Sequence, residues 1–241
     1  IAKTLNNLLH LPYKNYEVIV GLDGCTDRTE EIVKEFTKKH KKFRYYSFNL
    51  RKGKPAIIDK LIKKTSGNII IINDSDWLFT VRDKKSLEKF ISVFNNPEIG
   101  GIAESFPVEW NLSKIKNGNL GYKMVAYSSY FWLLYQKEKL AYKRNNILYV
   151  KEPTMFLTNV FRKKLFKTNI SLGDDFERTK DIVSQNYKIV LFHEEEMPRM
   201  IATYNQIKIK DLFKQKIRTA IARKQLKESK MMPLNFFNYY L

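Results

Sequence analysis

Thiol and imidazole chemistry is nearly missing from this chain. Cys25 is its one cysteine, which excludes a disulfide framework and a thiolate zinc site. The histidines are His10, His40 and His193, so a three-histidine metal centre would have to use all of them. Long apolar runs are missing too. The most apolar stretch, Tyr130 to Tyr135 (YFWLLY), falls far short of the roughly 18 residues that read as a membrane span. No signal peptide is visible, and neither an internal repeat nor a low-complexity linker interrupts the chain. Negative charge is the scarcer sign: 25 Asp+Glu against 44 Lys+Arg leave a formal net charge of +19.

What is present excludes disorder. At 241 residues, 44% hydrophobic and 14% aromatic, the chain can bury a substantial core. The positive charge suits nucleic acid, an anionic membrane surface or a phosphorylated substrate. Lysine outnumbers arginine 34 to 10, a composition that AT-rich coding would impose whatever the function, so the charge alone decides nothing. Residue 1 is Ile rather than Met, which leads us to expect a fragment or a processed chain. The C-terminal MMPLNFFNYYL turns apolar and aromatic, as an approach to a membrane segment would.

The first 76 residues alternate between two periodicities. Glu17 to Leu22 (EVIVGL) reads as a strand, Arg28 to His40 as a helix, Phe43 to Leu50 as a strand and Lys54 to Lys64 as a helix. Asn68 to Asn73 (NIIIIN) is a continuous apolar run of the kind buried on both faces of a parallel sheet. Strand and helix in alternation predict a doubly wound α/β unit, which binds ligands beyond the carboxyl ends of its strands. Further on, helices are expected over Lys84 to Phe94, Tyr122 to Lys143, Phe176 to Gln185 and Ile207 to Lys230. Strands are expected near Ile99 to Phe106, Thr154 to Phe161 and Tyr187 to Phe192.

Polar clusters sit where such a sheet presents its chemistry. Asp74-Ser75-Asp76 follows the apolar run, and carboxylates at i and i+2 of a strand project to one side. They can share Mg²⁺ or Mn²⁺, which completes its shell with waters and substrate phosphates, or one can take a ribose hydroxyl. Their bland alternative is a polar turn. In Asp23-Gly24-Cys25-Thr26-Asp27, Asp27 is suited to cap the next helix, while Asp23 is free to accept from a base or sugar edge. Arg51-Lys52-Gly53-Lys54 offers cations at a helix start, where the dipole already favours anions, or is simply a solvated basic turn. Gly173-Asp174-Asp175 precedes an amphipathic helix, so that one aspartate can cap it and the other face a cleft as general base.

Together these segments resemble the family 2 glycosyltransferases of the GT-A fold. EVIVGLDGCTDRTEEIV is similar to that family's EVIVVDDGSTDxT segment, with Leu22 where the first Asp of the pair is usual. RKGKPAIIDKLIKKTSGNIIIINDSDW resembles its R-x-GK block running to the DxD motif. SLGDDFERTKDIV resembles its GED segment, with Asp174 replacing Glu. EEEMPRM followed by Gln215 to Thr219 (QKIRT) resembles the acidic-Pro segment and the QxxRW motif, with Thr219 in place of Trp.

The resemblance implies a GT-A-type doubly wound, mostly parallel sheet. Residues 1–106 would form the nucleotide-sugar half, 107–206 the acceptor half, and 207–241 an amphipathic helix and tail. It implies that Asp23 contacts the base, that Arg51 and Lys54 lie near the nucleotide, and that Asp74 and Asp76 bind ribose and the metal–diphosphate, Asp76 holding the metal. Asp175 would be the base that deprotonates the acceptor hydroxyl, giving inversion. Asp174, Gln215 and Arg218 would lie by the acceptor or diphosphate, and His193 is a weak metal-ligand candidate that reads better as a strand end. The family's opening strand is absent, residues 1–9 matching the helix that follows it, so that upstream residues are expected to add stability. Ile207 to Lys230 carries nine Lys or Arg residues against Asp211 and Glu228, with apolar residues at helical spacing, as an interfacial helix on anionic lipid would. The expected setting is the cytoplasmic face of the cell membrane, on a lipid-linked or polysaccharide acceptor. The competing readings are a basic nucleic-acid-binding protein, which gives no reason for carboxylates at two strand ends, and a degenerate GT-A scaffold.

Overall fold

Amphipathic spacing in the first nine residues makes α1 (Ala2–Leu9), which buries Leu5 to 1% exposure against the strands that follow. The structure is a computed structural model and describes residues 1–103, 112–145, 147–151, 159–168, 171–191, 198–204 and 206–228. β1 (Val18–Asp23) and β2 (Phe43–Phe48) pair in parallel, Val18 opposite Phe43 and Asp23 opposite Phe48. α2 (Thr29–Lys39) crosses between them, with Glu30 and Glu31 in its first turn and Lys38 and Lys39 in its last, the order that complements the helix dipole. Asp27 accepts from the Thr29 N–H at 3.0 Å, so its helix-starting role holds although Arg28 occupies the N-cap position.

Alternation along β1 sends its side chains two ways. Leu22, 1% exposed, packs with Leu5, Val33 and Phe43 on the α1 and α2 side. Gly21 faces α3 (Lys54–Ile62), where an added methyl would come within 2.4 Å of Ile57 Cγ2. α3 therefore lies directly on the strand, and its first turn is brought beside Asp23.

The second sheet has six strands in the order β3-β8-β5-β9-β7-β6. These are β3 (Ile69–Ile71), β5 (Ile99–Ala103), β6 (Ala141–Arg144), β7 (Ile147–Val150), β8 (Val160–Arg162) and β9 (Lys188–Leu191). β5 and β9 are parallel, and β8 and β7 run against their neighbours, so four of the six strands point one way. Helix α4 (Lys84–Ser92) packs Leu87 and Phe90 under this sheet, and the Asp83 side chain caps it through the Ser86 N–H at 2.7 Å. A separate antiparallel ribbon joins β4 (Trp77–Thr80) to β10 (Arg199–Ala202).

Three expectations are corrected. β3 is only three residues long and leaves Ile71 37% exposed, because it forms an edge of the six-stranded sheet and is not buried on both faces. The helix expected over Tyr122 to Lys143 is α6 (Leu120–Lys139), and residues 141–144 leave it to form β6. Pairing with β7 through a turn at Asn145, with φ 50°, outweighs any helical tendency there. Neither Asp174 nor Asp175 is an N-cap: α7 (Asp174–Ser184) has Gly173 at that position and both aspartates in its first turn. α5 (Leu112–Asn117) and α8 (Ile209–Glu228) complete the elements. The expected strand segments at 104–106 and 154–158, His193, and the tail from 229 onward lie outside the described residues.

Candidate active site

Asp23 ends β1 on the face opposite Leu22, and both its oxygens are engaged by the start of α3. They accept from the Lys52 N–H at 2.6 Å and the Gly53 N–H at 2.8 Å. Gly24, at φ 62°, completes this clasp: a Cβ there would sit 2.8 Å from the Arg51 amide nitrogen. Only glycine combines that conformation with so close an approach. Gly53, at φ 87°, and Pro55 then turn the chain into α3, and Lys54 is delivered from the helix's first turn to Asp74.

The Lys54 Nζ stands 2.8 Å from Asp74 Oδ1. Burial works against the Lys54 charge, but Asp74, with Asp174 and Asp175 further off, outweighs it and raises the ammonium pKa. One lysine thus pairs with the DxD turn and feels the charge of the acidic start of α7. Arg51 is exposed, its backbone held against Gly24.

Asp74 to Asp76 form a turn between β3 and β4 and are not strand residues, with the Trp77 N–H donating to the Asp74 carbonyl at 3.1 Å. Three neighbours pin that turn. Thr4 on α1 donates to the Ser75 carbonyl at 2.6 Å. The Thr203 N–H and hydroxyl both donate to the Asp76 carbonyl, at 2.9 and 3.0 Å. The backbone bonds leave the carboxylates free to face solvent. The Asp76 side chain is exposed, yet protein mass around it, and then the Asp74 charge, push its carboxyl above the ordinary range.

An aromatic group stands behind this turn. Tyr204 meets Trp77 edge-on at 6.2 Å and Tyr122 at 6.4 Å. Its hydroxyl is pushed up to about 12, by burial first and then by the Asp76 charge. Nothing in the local sequence around Tyr204 pointed to it, since its place depends on β10 pairing with β4.

At the start of α7 the two aspartates part company. Asp174 is 5% exposed and forms an ion pair at 2.7 Å with Arg178, itself only 1% exposed. Arg178 also donates to Asn159 Oδ1 at 2.8 Å and lies 5.7 Å over the Phe161 ring. Asn159 in turn accepts, through its carbonyl, the Ile72 N–H at 2.8 Å, which ties α7 to the strand leading into the DxD turn. Asp174, expected by the acceptor or diphosphate, is thus buried and engaged by Arg178. Asp175 stays half-buried, its own Phe176 N–H donating to Oδ1 at 3.0 Å. Burial, then the Asp174 charge, raise its pKa, while Arg178 and Lys54 pull the other way. An Asp and an Arg four apart were the one sequence signal for this pair.

Gln215 and Arg218 lie exposed on α8, in turns before the Ala222 and Leu226 anchor. The structure therefore gathers Asp23, Lys54, Asp74 and Asp76 on one side, with Asp175 within electrostatic reach of Lys54, and leaves Gln215 and Arg218 on the surface.

A metal fits the DxD turn. Two hard oxygen donors face solvent within one turn, and Asp74 already draws a cation, the Lys54 ammonium, to 2.8 Å. Among the described residues no group of three or more His, Cys, Asp or Glu side chains converges on one point, so such an ion would rely on waters and phosphate for the rest of its shell.

The chain belongs to glycosyl transferase family 2, whose model matches residues 1–168, and its fold is GT-A. It is 29% identical over 196 residues to the poly-beta-1,6-N-acetyl-D-glucosamine synthase of Staphylococcus epidermidis, covering 81% of this chain and 43% of that one. It is 25% identical over 244 residues to the dolichyl N-acetyl-alpha-D-glucosaminyl phosphate 3-beta-D-2,3-diacetamido-2,3-dideoxy-beta-D-glucuronosyltransferase of Methanococcus voltae, covering 92% of this chain and 68% of that one. The fold matches the mannosyltransferase PcManGT from Pyrobaculum calidifontis, solved with GDP-Man and Mn²⁺, at TM-score 0.63 and 15% identity over 97% of this chain and 61% of that one. The chain thus spans less than half the length of the staphylococcal relative.

Proposed function

We propose that this chain is the catalytic domain of an inverting, metal-assisted glycosyltransferase that moves a sugar from a nucleotide-diphosphate sugar to the hydroxyl of a lipid-linked or polysaccharide acceptor. The observation that carries this reading is the exposed acidic turn of Asp74 and Asp76 beside the Lys54 ammonium, with Asp175 close enough for its charge to act on that of Lys54. Residues 1–106 would hold the nucleotide sugar and residues 107–206 would face the acceptor, with 207–241 appended to them. Mg²⁺ or Mn²⁺ held by Asp76, with Asp74 on the ribose side, would neutralise charge developing on the leaving diphosphate. Lys54 and Arg51 add cationic donors to the same phosphates. Asp23 keeps the Arg51–Lys54 loop in place and retains lone pairs for a base edge.

The proton of the acceptor hydroxyl goes to Asp175. A carboxylate with a raised pKa is a stronger base than one in water, and half-burial limits its solvation. Attack by the acceptor oxygen on the anomeric carbon, opposite the departing diphosphate, inverts that centre. The relatives' names include a polysaccharide synthase and an enzyme of dolichyl-linked sugar transfer, which supports an acceptor of one of those classes. Its setting is the cytoplasmic face of the cell membrane, with the basic α8 toward anionic lipid, and nucleic acid is not its partner.

Asp175→Asn tests this directly. The variant should bind a nucleoside diphosphate with Mn²⁺ as the parent does, and lose sugar transfer by at least about a hundredfold, the usual worth of a general base. Transfer at the parent rate would remove Asp175 from the chemistry.

A further inference from the structure

The turn ahead of α7 is held from two directions. Three successive backbone N–H groups there donate to side chains: Ser171 to Glu177 Oε1 at 3.0 Å, Leu172 to Gln225 Oε1 at 3.0 Å, and Gly173 to Ser171 Oγ at 3.1 Å. The Gly173 carbonyl then accepts from the Phe176 and Glu177 N–H groups, both at 3.0 Å, which starts the helix. Ser171 and Glu177 belong to the turn and to α7 themselves. Gln225 does not, for it comes from the end of α8, 53 residues beyond Leu172. Its neighbour Leu226, 2% exposed, closes on the same turn. A Cβ added to Gly173 would stand 2.9 Å from Leu226 Cδ1, so the leucine lies directly on the glycine backbone.

A second anchor at the other end of α8 aims it at that turn. Asn119, just ahead of α6, donates from Nδ2 to the Ile207 carbonyl at 3.0 Å and accepts the Ile207 N–H at 3.1 Å. The same Oδ1 accepts from the Tyr122 N–H at 3.0 Å, which ties the clasp to α6. Gly121 admits this approach, since a Cβ there would lie 2.3 Å from the Ile207 carbonyl oxygen. Between the anchors Ile209, Phe213, Ile217 and Ile221 are exposed, and in α8 only Ala222 and Leu226 are buried. A helix so lightly packed along its length owes its direction to its ends. It bridges on the order of 25 Å, at 1.5 Å per residue, from the start of α6 to the start of α7.

We infer that Gln225 and Leu226 are positioning residues for Asp175: the last turn of α8 fixes the turn from which α7 springs, and with it the place of the carboxylate on the second residue of that helix. The inference rests on the reading of Asp175 as general base given above. A base acts only within hydrogen-bond reach of the hydroxyl it deprotonates, and a misplacement of about 1 Å can cost roughly a hundredfold in rate. The Phe176 N–H on Asp175 Oδ1 and the Thr179 hydroxyl on its carbonyl belong to α7 and move with it. Arg178 and Asn159 hold the helix a turn further in, whereas helices fray at their ends. Gln225 and Leu226 act on that end.

The test compares the full 241-residue chain with Gln225→Ala, Leu226→Ala and Gln225→Glu, the last of which keeps an acceptor for the Leu172 N–H. Leu172 is at the surface, so in Gln225→Ala water takes over its N–H and the fold is kept. Two readouts need no sugar donor: amide hydrogen exchange at Phe176 and Glu177, and titration of the Asp175 carboxyl by carbon-13 NMR. Binding of a nucleoside diphosphate with Mn²⁺ is measured beside them. In both alanine variants exchange should rise at least about tenfold, with α2 as in the parent. The Asp175 midpoint should fall toward 3.8 as its carboxylate gains water. Gln225→Glu should restore slow exchange and the raised midpoint, and nucleotide binding should be equal in all four proteins. Parent-like exchange in both alanine variants would overturn the hold of α8 on the turn. Faster exchange with an unmoved Asp175 midpoint would overturn the positioning role. Faster exchange and a moved midpoint in a protein that binds no nucleoside diphosphate would leave the hold of α8 standing and sink the transferase reading.

Discussion

Arg178 carries its charge with 1% of its surface exposed, a state that needs the Asp174 carboxylate at 2.7 Å and the Asn159 amide oxygen at 2.8 Å. Removing one member of such a pair leaves the other buried and uncompensated, which costs roughly 3–5 kcal/mol, while replacing both by apolar groups is close to neutral. Arg178→Met should therefore lower the unfolding free energy by about that amount, and Asp174→Leu with Arg178→Met should recover most of it in urea denaturation. Equal stability of the single variant and the parent would mean that the pair is idle. The same residues set the pH response of Asp175. Its folded pKa lies above 3.8, so transfer should fall as pH drops through that raised value and Asp175 takes up its proton. Asp174→Asn removes a repelling charge and leaves Arg178 unopposed, and both changes favour the ionised Asp175. The acid limb of kcat/KM should move to lower pH in that variant, and the opposite movement would contradict the arrangement.

Between elements, Glu17 does for β1 what Arg178 does for α7. Just ahead of β1, its carboxylate accepts from the Ser66 N–H and from the Ser66 hydroxyl at 2.7 Å, and pairs with Arg44 on β2. Burial opposes the charge, but these partners outweigh it and hold the carboxyl at about 2 rather than 4.5. A depressed folded pKa means stability that is fully present above 4.5 and lost as pH falls from there toward 2. Glu17→Gln should melt below the parent at neutral pH, and the gap should close across that window. A gap independent of pH would show that the ionised carboxylate is not what Ser66 and Arg44 hold. Most element types were legible in the sequence because strands of β-branched residues and helices with apolar i, i+3 and i+4 positions differ in period. The end of α6 was not, since whether residues 141–144 continue the helix depends on β7, which the local pattern does not contain.

At the scale of the whole molecule, the legible part of the site was whatever a strand end or helix start announces: Asp23, Lys54, Asp74, Asp76 and Asp175 each stand at such a boundary. What escaped was every contact made across the chain. Tyr204 reaches Trp77 only because β10 pairs with β4, Asn159 meets Arg178 from just ahead of β8, and Asp174 pairs with Arg178 inside the protein. The cluster of cations along α8 was legible in the sequence, whereas the contact of Lys54 with the acidic turn is seen only in three dimensions. The central claim is that the DxD turn holds a metal–diphosphate, and calorimetric titration of a nucleoside diphosphate with and without Mn²⁺ tests it most directly. Binding should need the metal and weaken at least about tenfold, roughly 1.4 kcal/mol, in Asp76→Asn. Metal-independent binding of equal strength in parent and variant would contradict the account.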